Sequence, residues 1–142
     1  MRNLFKKKNN GQSFVEFALV LPILILLVLG IIQFGIVFYG QVTITSAARE
    51  GARMSSIGKS YEVIETKISE IVSIPFLNVD LDEIRFYPDP LEPRVFGDPV
   101  SVVIPASVNI IVPFLERAVG DVFNISAKSE MRYQHYSEND SD

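Results

Sequence analysis

Two features near the amino end hold the residue types best suited to chemistry: the Gly11-Gln12 peptide bond and the carboxylate of Glu16. Gly11-Gln12-Ser13 joins a residue without a side chain to small or polar neighbours, the kind of segment a protease reads in extended form. If the bond after Gly11 were cut, the new amino group on Gln12 would lie four positions from Glu16, about one helical turn away. An amine and a carboxylate from neighbouring subunits could then pair. Glu16 stands at the edge of a long apolar run, where a carboxylate costs on the order of 2 to 3 kcal/mol by membrane-insertion scales. The usual reasons for carrying one there are a partner charge or a polar pathway; the plainer alternative is solvation by nearby headgroups.

Other reactive chemistry is poorly supplied. The lone histidine, His135, lies beside an acidic end and reads as a solvated surface residue rather than a catalytic base. With no cysteine in the chain, disulfides and thiolate metal sites are excluded. No HExxH, CxxC, Walker loop or GxGxxG occurs. Asp89, Glu92 and Asp98 share a proline-rich loop but lack the one-three-five spacing of a calcium loop. The expectation is a protein with no catalytic residues, metal, cofactor or small-molecule substrate.

The element that positions Gly11 and Glu16 is a helix. From Phe17 to Tyr39 run 23 residues of which only Gln33 is strongly polar, and such a helix reaches roughly 34 Å, enough for a bilayer core of about 30 Å. Residues 1 to 11 hold Arg2, Lys6, Lys7 and Lys8 and no acid, in a chain of net charge −4. The positive-inside rule then places the amino end in the cytoplasm and the acidic body outside a cytoplasmic (inner) membrane crossed once, and an acidic body is a poor partner for nucleic acid. A cleaved signal peptide would have a shorter apolar region and an A-x-A site, whereas this run ends in Phe38-Tyr39-Gly40 before Gln41, so the helix is expected to stay. Pro22 lacks an amide donor and is expected to bend or loosen the turn before it, either as a kink used in assembly or, the favoured reading, as an ordinary membrane-helix proline. Gly30, Gly35 and Gly40 fall five apart, rotate by roughly 140 degrees per step and line no single seam. Tyr39 suits the outer interface, and Gln33 is placed to bond a neighbouring helix for about 1 kcal/mol.

Beyond the membrane, Ala47, Ala48, Gly51, Ala52 and Ser55 continue a smooth small-residue face along the helix. It can receive either the protein's own body or other helices; the first is favoured because so small a body needs cover. Gly58 and Ser60 read as a stop and a new cap. Tyr61, Ile64, Ile68, Ile71 and Val72 form the apolar stripe of a second helix ended by Pro75. Strand signals follow: Asn78 to Tyr87, with a phase shift at Asp82-Glu83 that predicts a bulge; Val100 to Val112, apolar at every even position, with Pro105 favouring an edge or local bulge; and Phe123 to Tyr133. The fold class is α+β: a long amino-terminal transmembrane helix extended into a stalk, a second short helix and a small antiparallel β-meander. The organisation is a basic cytoplasmic leader (1–11), the transmembrane and stalk helix (12–57), a small extracytoplasmic α+β domain (58–136) and an acidic disordered tail (137–142).

Gly11, four residues, then Glu16-Phe17, behind a basic leader and ahead of a long apolar helix, resembles the processing site of type IV prepilins and pseudopilins. The fuller run resembles the TadE-like pseudopilins of the Tad (Flp) pilus system through Glu16-Phe17-Ala18-Leu19, Pro22, Gln33-Phe34-Gly35 and Ala47-Ala48-Arg49-Glu50-Gly51-Ala52-Arg53. That resemblance implies a minor pseudopilin, cut by a prepilin peptidase and used with other pilins or pseudopilins and Tad platform proteins to assemble an adherence pilus. Gly11 would precede the cut, Gln12 would be the new amino terminus and Glu16 the fifth mature residue. Gln12 departs from the small or hydrophobic residue usual there. The alternative is an unprocessed, signal-anchored extracytoplasmic binding module.

Overall fold

The computed structural model describes residues 10–112, 116–117 and 120–134. The basic leader up to residue 9, His135 and the acidic tail lie outside the described residues. Helix α1, Asn10–Ser56, is 47 residues long and unbroken through Pro22, which at 1.5 Å per residue is about 70 Å. It ends where Gly58 adopts φ 79°. There the Gly58 amide donates to Ser55 O and the Lys59 amide to Met54 O, the paired bonds of a Schellman cap that a residue with a Cβ would strain to form.

After a short turn, α2 (Tyr61–Val72) packs back on α1, burying Ile64, Ile68 and Val72. Its charged residues point outward, where Lys67 pairs with Glu70 at 2.7 Å. Ser60 precedes the helix in extended backbone but makes no side-chain capping bond.

The sheet is built on one long strand. With β1 as Leu77–Asn78, β2 as Arg85–Tyr87, β3 as Pro99–Asn109 and β4 as Val122–Arg132, β4 pairs antiparallel with the whole of β3 while β1 and β2 pair end to end along its other edge. The phase shift that predicted a bulge is a full interruption. A 3-10 turn at Leu81–Glu83, started by Asp80 Oδ1 accepting from the Asp82 amide, divides the strand into β1 and β2.

Pro105 therefore sits in a central strand rather than at an edge. It faces Ser126 of β4 on one side, and on the other it falls between the residues paired with β2 (Ser101 to Val103) and those paired with β1 (Ser107, Val108). The ladder has no partner at the position where proline has no donor. Even-numbered residues of β3 face inward as the alternation requires, with Val100, Val102, Ile104 and Val108 fully or almost fully buried.

The core lies between this face and α1. Ile44, Ala47, Ala48 and Ala52 of α1 are completely buried against Ile64, Ile68, Val102 and Ile104. A Cβ on Gly51 would come within 3.1 Å of Ile68 Cδ1, and one on Gly40 within 3.0 Å of Val108 Cγ2. The small-residue face is thus covered by the protein's own sheet and second helix. Polar ties fasten the body along α1 as well: Gln41 Nε2 donates to Ser126 O, and the Gln134 amide donates to Ser56 O.

Candidate processing and assembly site

Gly11 and Gln12 lie in the first turn of α1, so the segment is helical rather than extended. The turn is weakly held by nature, since its amides have no intrahelical acceptors and glycine is among the poorest helix formers. Gln12 Nε2 donates to Glu16 Oε1 at 3.1 Å, one turn along. This contact is made by the side-chain amide within one helix, not by a backbone amine. Glu16, Phe17 and Pro22 are all exposed, and a Cβ built on Gly11 meets nothing within 4 Å.

From Gly11 to Val20 every residue is exposed, and no residue of the most apolar stretch of α1 is buried by the body. Such a surface suits lipid, because exposed Leu, Ile, Val and Phe all round a helix are poorly accommodated in water.

The upper boundary of that stretch differs from the apolar run. Gln33, only 6 % exposed, donates through Nε2 to Asn109 O (3.2 Å) and accepts at Oε1 from the Ile111 amide (2.8 Å). Its partner is the end of β3 in the same chain, not a neighbouring helix. The body consequently begins at Gln33, within the run that composition marks as membrane. Composition alone cannot reveal this, since the residues between Gln33 and Gly40 are apolar whether sheet or lipid covers them; the signal available was the one amide in an otherwise apolar run.

The Ala47 to Arg53 segment divides cleanly by side-chain type. Ala47, Ala48, Gly51 and Ala52 face inward and are buried, while Arg49, Glu50 and Arg53 face out. Arg53 holds Glu50 in a two-point contact (Nε to Oε2 2.9 Å, Nη2 to Oε1 2.7 Å), and those hydrogen bonds hold the Glu50 carboxyl below its usual range. Arg94, unremarkable in the sequence, reaches from the proline-rich loop to the top of α1. Its guanidinium lies 4.1 Å from the Tyr61 ring centroid and donates to Lys59 O and Ser55 O. It ties the loop down.

Among the described residues, no group of three or more His, Asp or Glu is placed to hold a metal. Asp89 Oδ1 accepts from the Leu91 amide in a local turn.

Among the described residues one exposed apolar helix, built at its far end into a small α+β body, is the arrangement of a protein anchored in a membrane by a single span. Residues 11–53 match the family model described as "TadE-like protein". The match bears out the resemblance read from the residues and supports a protein associated with the Tad pilus system. It ends near the top of α1, leaving α2 and the sheet outside it. No curated protein and no solved structure matches the chain.

Proposed function

We propose that this protein is a TadE-like minor pseudopilin, a non-enzymatic structural component for assembly of the Tad (Flp) type IV pilus. In this reading the leader is cytoplasmic, α1 crosses the cytoplasmic membrane, and the α+β body stands outside. A prepilin peptidase cuts after Gly11. Glu16 then receives the Gln12 amine of a neighbouring subunit, with Phe17 beside it in the helix contact, and the turn loosened by Pro22 lets the helices adjust to one another. Other pilins, pseudopilins and Tad platform proteins are the partners.

The observation that carries this reading is that the fold has no use for the residues concerned. Gly11 adopts ordinary helical backbone with open space where a Cβ would stand, so alanine would fit without strain. Glu16 is exposed on a lipid-facing helix with Gln12 as its described hydrogen-bond partner. A glycine that packing does not require and a carboxylate that the body does not touch are accounted for by a protease and a neighbouring subunit.

The helical placement of Gly11 and Gln12 favours the competing reading, an anchored binding module that is never cut. Glu16→Gln separates the two. For a pseudopilin the variant reaches the membrane in normal amount while piliation, counted on intact cells, falls at least tenfold. Full piliation in that variant would contradict the assembly role.

A further inference from the structure

We propose that the membrane-proximal end of the body is an apolar foot seated in the headgroup and acyl boundary of the bilayer that α1 crosses. The proposal rests on the membrane-spanning reading of α1. Gln33 pins Asn109 and Ile111 beside the helix, and four apolar residues cluster at that end of the sheet. Val122 pairs with Asn109, Phe123 with Val108, and Phe76 accepts through its carbonyl from the Asn109 amide. Phe76, Ile111, Val122 and Phe123 are 48, 42, 43 and 45 % exposed.

Length argues that lipid covers them. From Phe17, the first residue past Glu16, to Ile32 there are 16 residues, or about 24 Å of helix against a hydrocarbon core of about 30 Å. Tilt shortens the reach further. With Glu16 at the inner headgroups, the last part of the hydrocarbon lies level with Gln33 to Ile36, beside the foot. Lifting the foot clear would draw Glu16 about one turn into the core, a desolvation that a lone carboxylate resists. The apolar surface of the foot is thus continuous with that of the anchor.

Phe76 adds an independent sign. It holds φ 67°, a left-handed conformation that glycine or asparagine adopts far more readily than a bulky side chain. The ring it presents is half exposed, so packing does not account for the strain. Glu116, Arg117 and Asp121, exposed in the adjoining connection, suit headgroups and limit the foot to a shallow seat.

The chain contains no tryptophan, so one introduced indole reports a single depth. Full-length Phe123→Trp, Leu26→Trp and Tyr87→Trp variants would be reconstituted into phosphatidylethanolamine/phosphatidylglycerol vesicles with lipids brominated either high or deep on the acyl chain. Val122→Trp stands in if Phe123→Trp does not fold. The expected result is a blue-shifted foot indole that loses roughly half its emission to shallow bromines. The Leu26→Trp indole should respond most to deep bromines, and the Tyr87→Trp indole, at the far end of the body, to neither. Quenching at Leu26→Trp with none at the foot would overturn the proposal while leaving the anchor in place. A blue-shifted but unquenched foot would overturn it in favour of a protein partner. No quenching at Leu26→Trp would remove the membrane-spanning reading and the foot with it.

Discussion

At the scale of single residues, three positions carry more than their types announce. Gln33 reads as a polar interruption suited to a neighbouring helix, and it satisfies the last carbonyl of β3 and the Ile111 amide instead. Pro105 reads as an edge residue, and it occupies the central strand opposite the gap between β1 and β2. Phe76 gives no sequence signal at all, because a positive φ depends on where the chain must turn after Pro75. Its energetics can be weighed. Relief of left-handed strain in Phe76→Gly is worth about 1 to 2 kcal/mol, against about 0.5 to 1 for glycine's added freedom and about 1 for the buried half of the ring. Phe76→Gly is therefore expected to change stability by less than about 1 kcal/mol, measured by thermal unfolding in detergent micelles. A loss of about 3 kcal/mol or more, the figure for an ordinary core phenylalanine, would show that the ring is a packing residue.

At the scale of elements, α1 serves as two helices in one. Its lower half offers apolar side chains to lipid, and its upper half offers a smooth face to a sheet. The second function was legible from Ala47, Ala48, Gly51, Ala52 and Ser55, because small residues at helical spacing leave room for close approach and little else. The α2 stripe, the alternation of β3 from Val100 and that of β4 were legible for the same reason: one face of each is wet. The split between β1 and β2 was not, since a bulge and a 3-10 turn both reset the phase of alternation. Close approach at Gly51 gives a test. Alanine there would gain up to about 1 kcal/mol of helix propensity and lose part of it to the 3.1 Å contact with Ile68 Cδ1. Valine adds two further methyl groups to a filled space, and Gly51→Val is expected to destabilise the body by about 2 kcal/mol, lowering its midpoint in micelles by about 10 °C. An unchanged midpoint would mean that the body is not docked on α1 as described.

At the scale of the whole molecule, charge, length and docking act together. Ties at Gln33, Gln41 and Ser56 fasten the body over the upper helix, so its height above the bilayer follows from how deep α1 sits. Glu16 at one end and the foot at the other bound that depth. The anchor and its resemblance were readable in the sequence because a span needs a long uninterrupted apolar run and the residues that carry the resemblance lie within and beside that run. No partner of the body was readable, since away from the foot the outward faces of β4 and of α2 are mostly polar or charged, with Lys128, Glu130 and Arg132 on one and Glu62, Lys67 and Glu70 on the other. The central claim is that this anchor is matured by cutting. It is tested most directly by amino-terminal sequencing and intact mass of the membrane-extracted protein, expressed with and without the prepilin peptidase. The expected result is a start at Gln12 that appears only with the peptidase, and a start at Met1 under both conditions would contradict it.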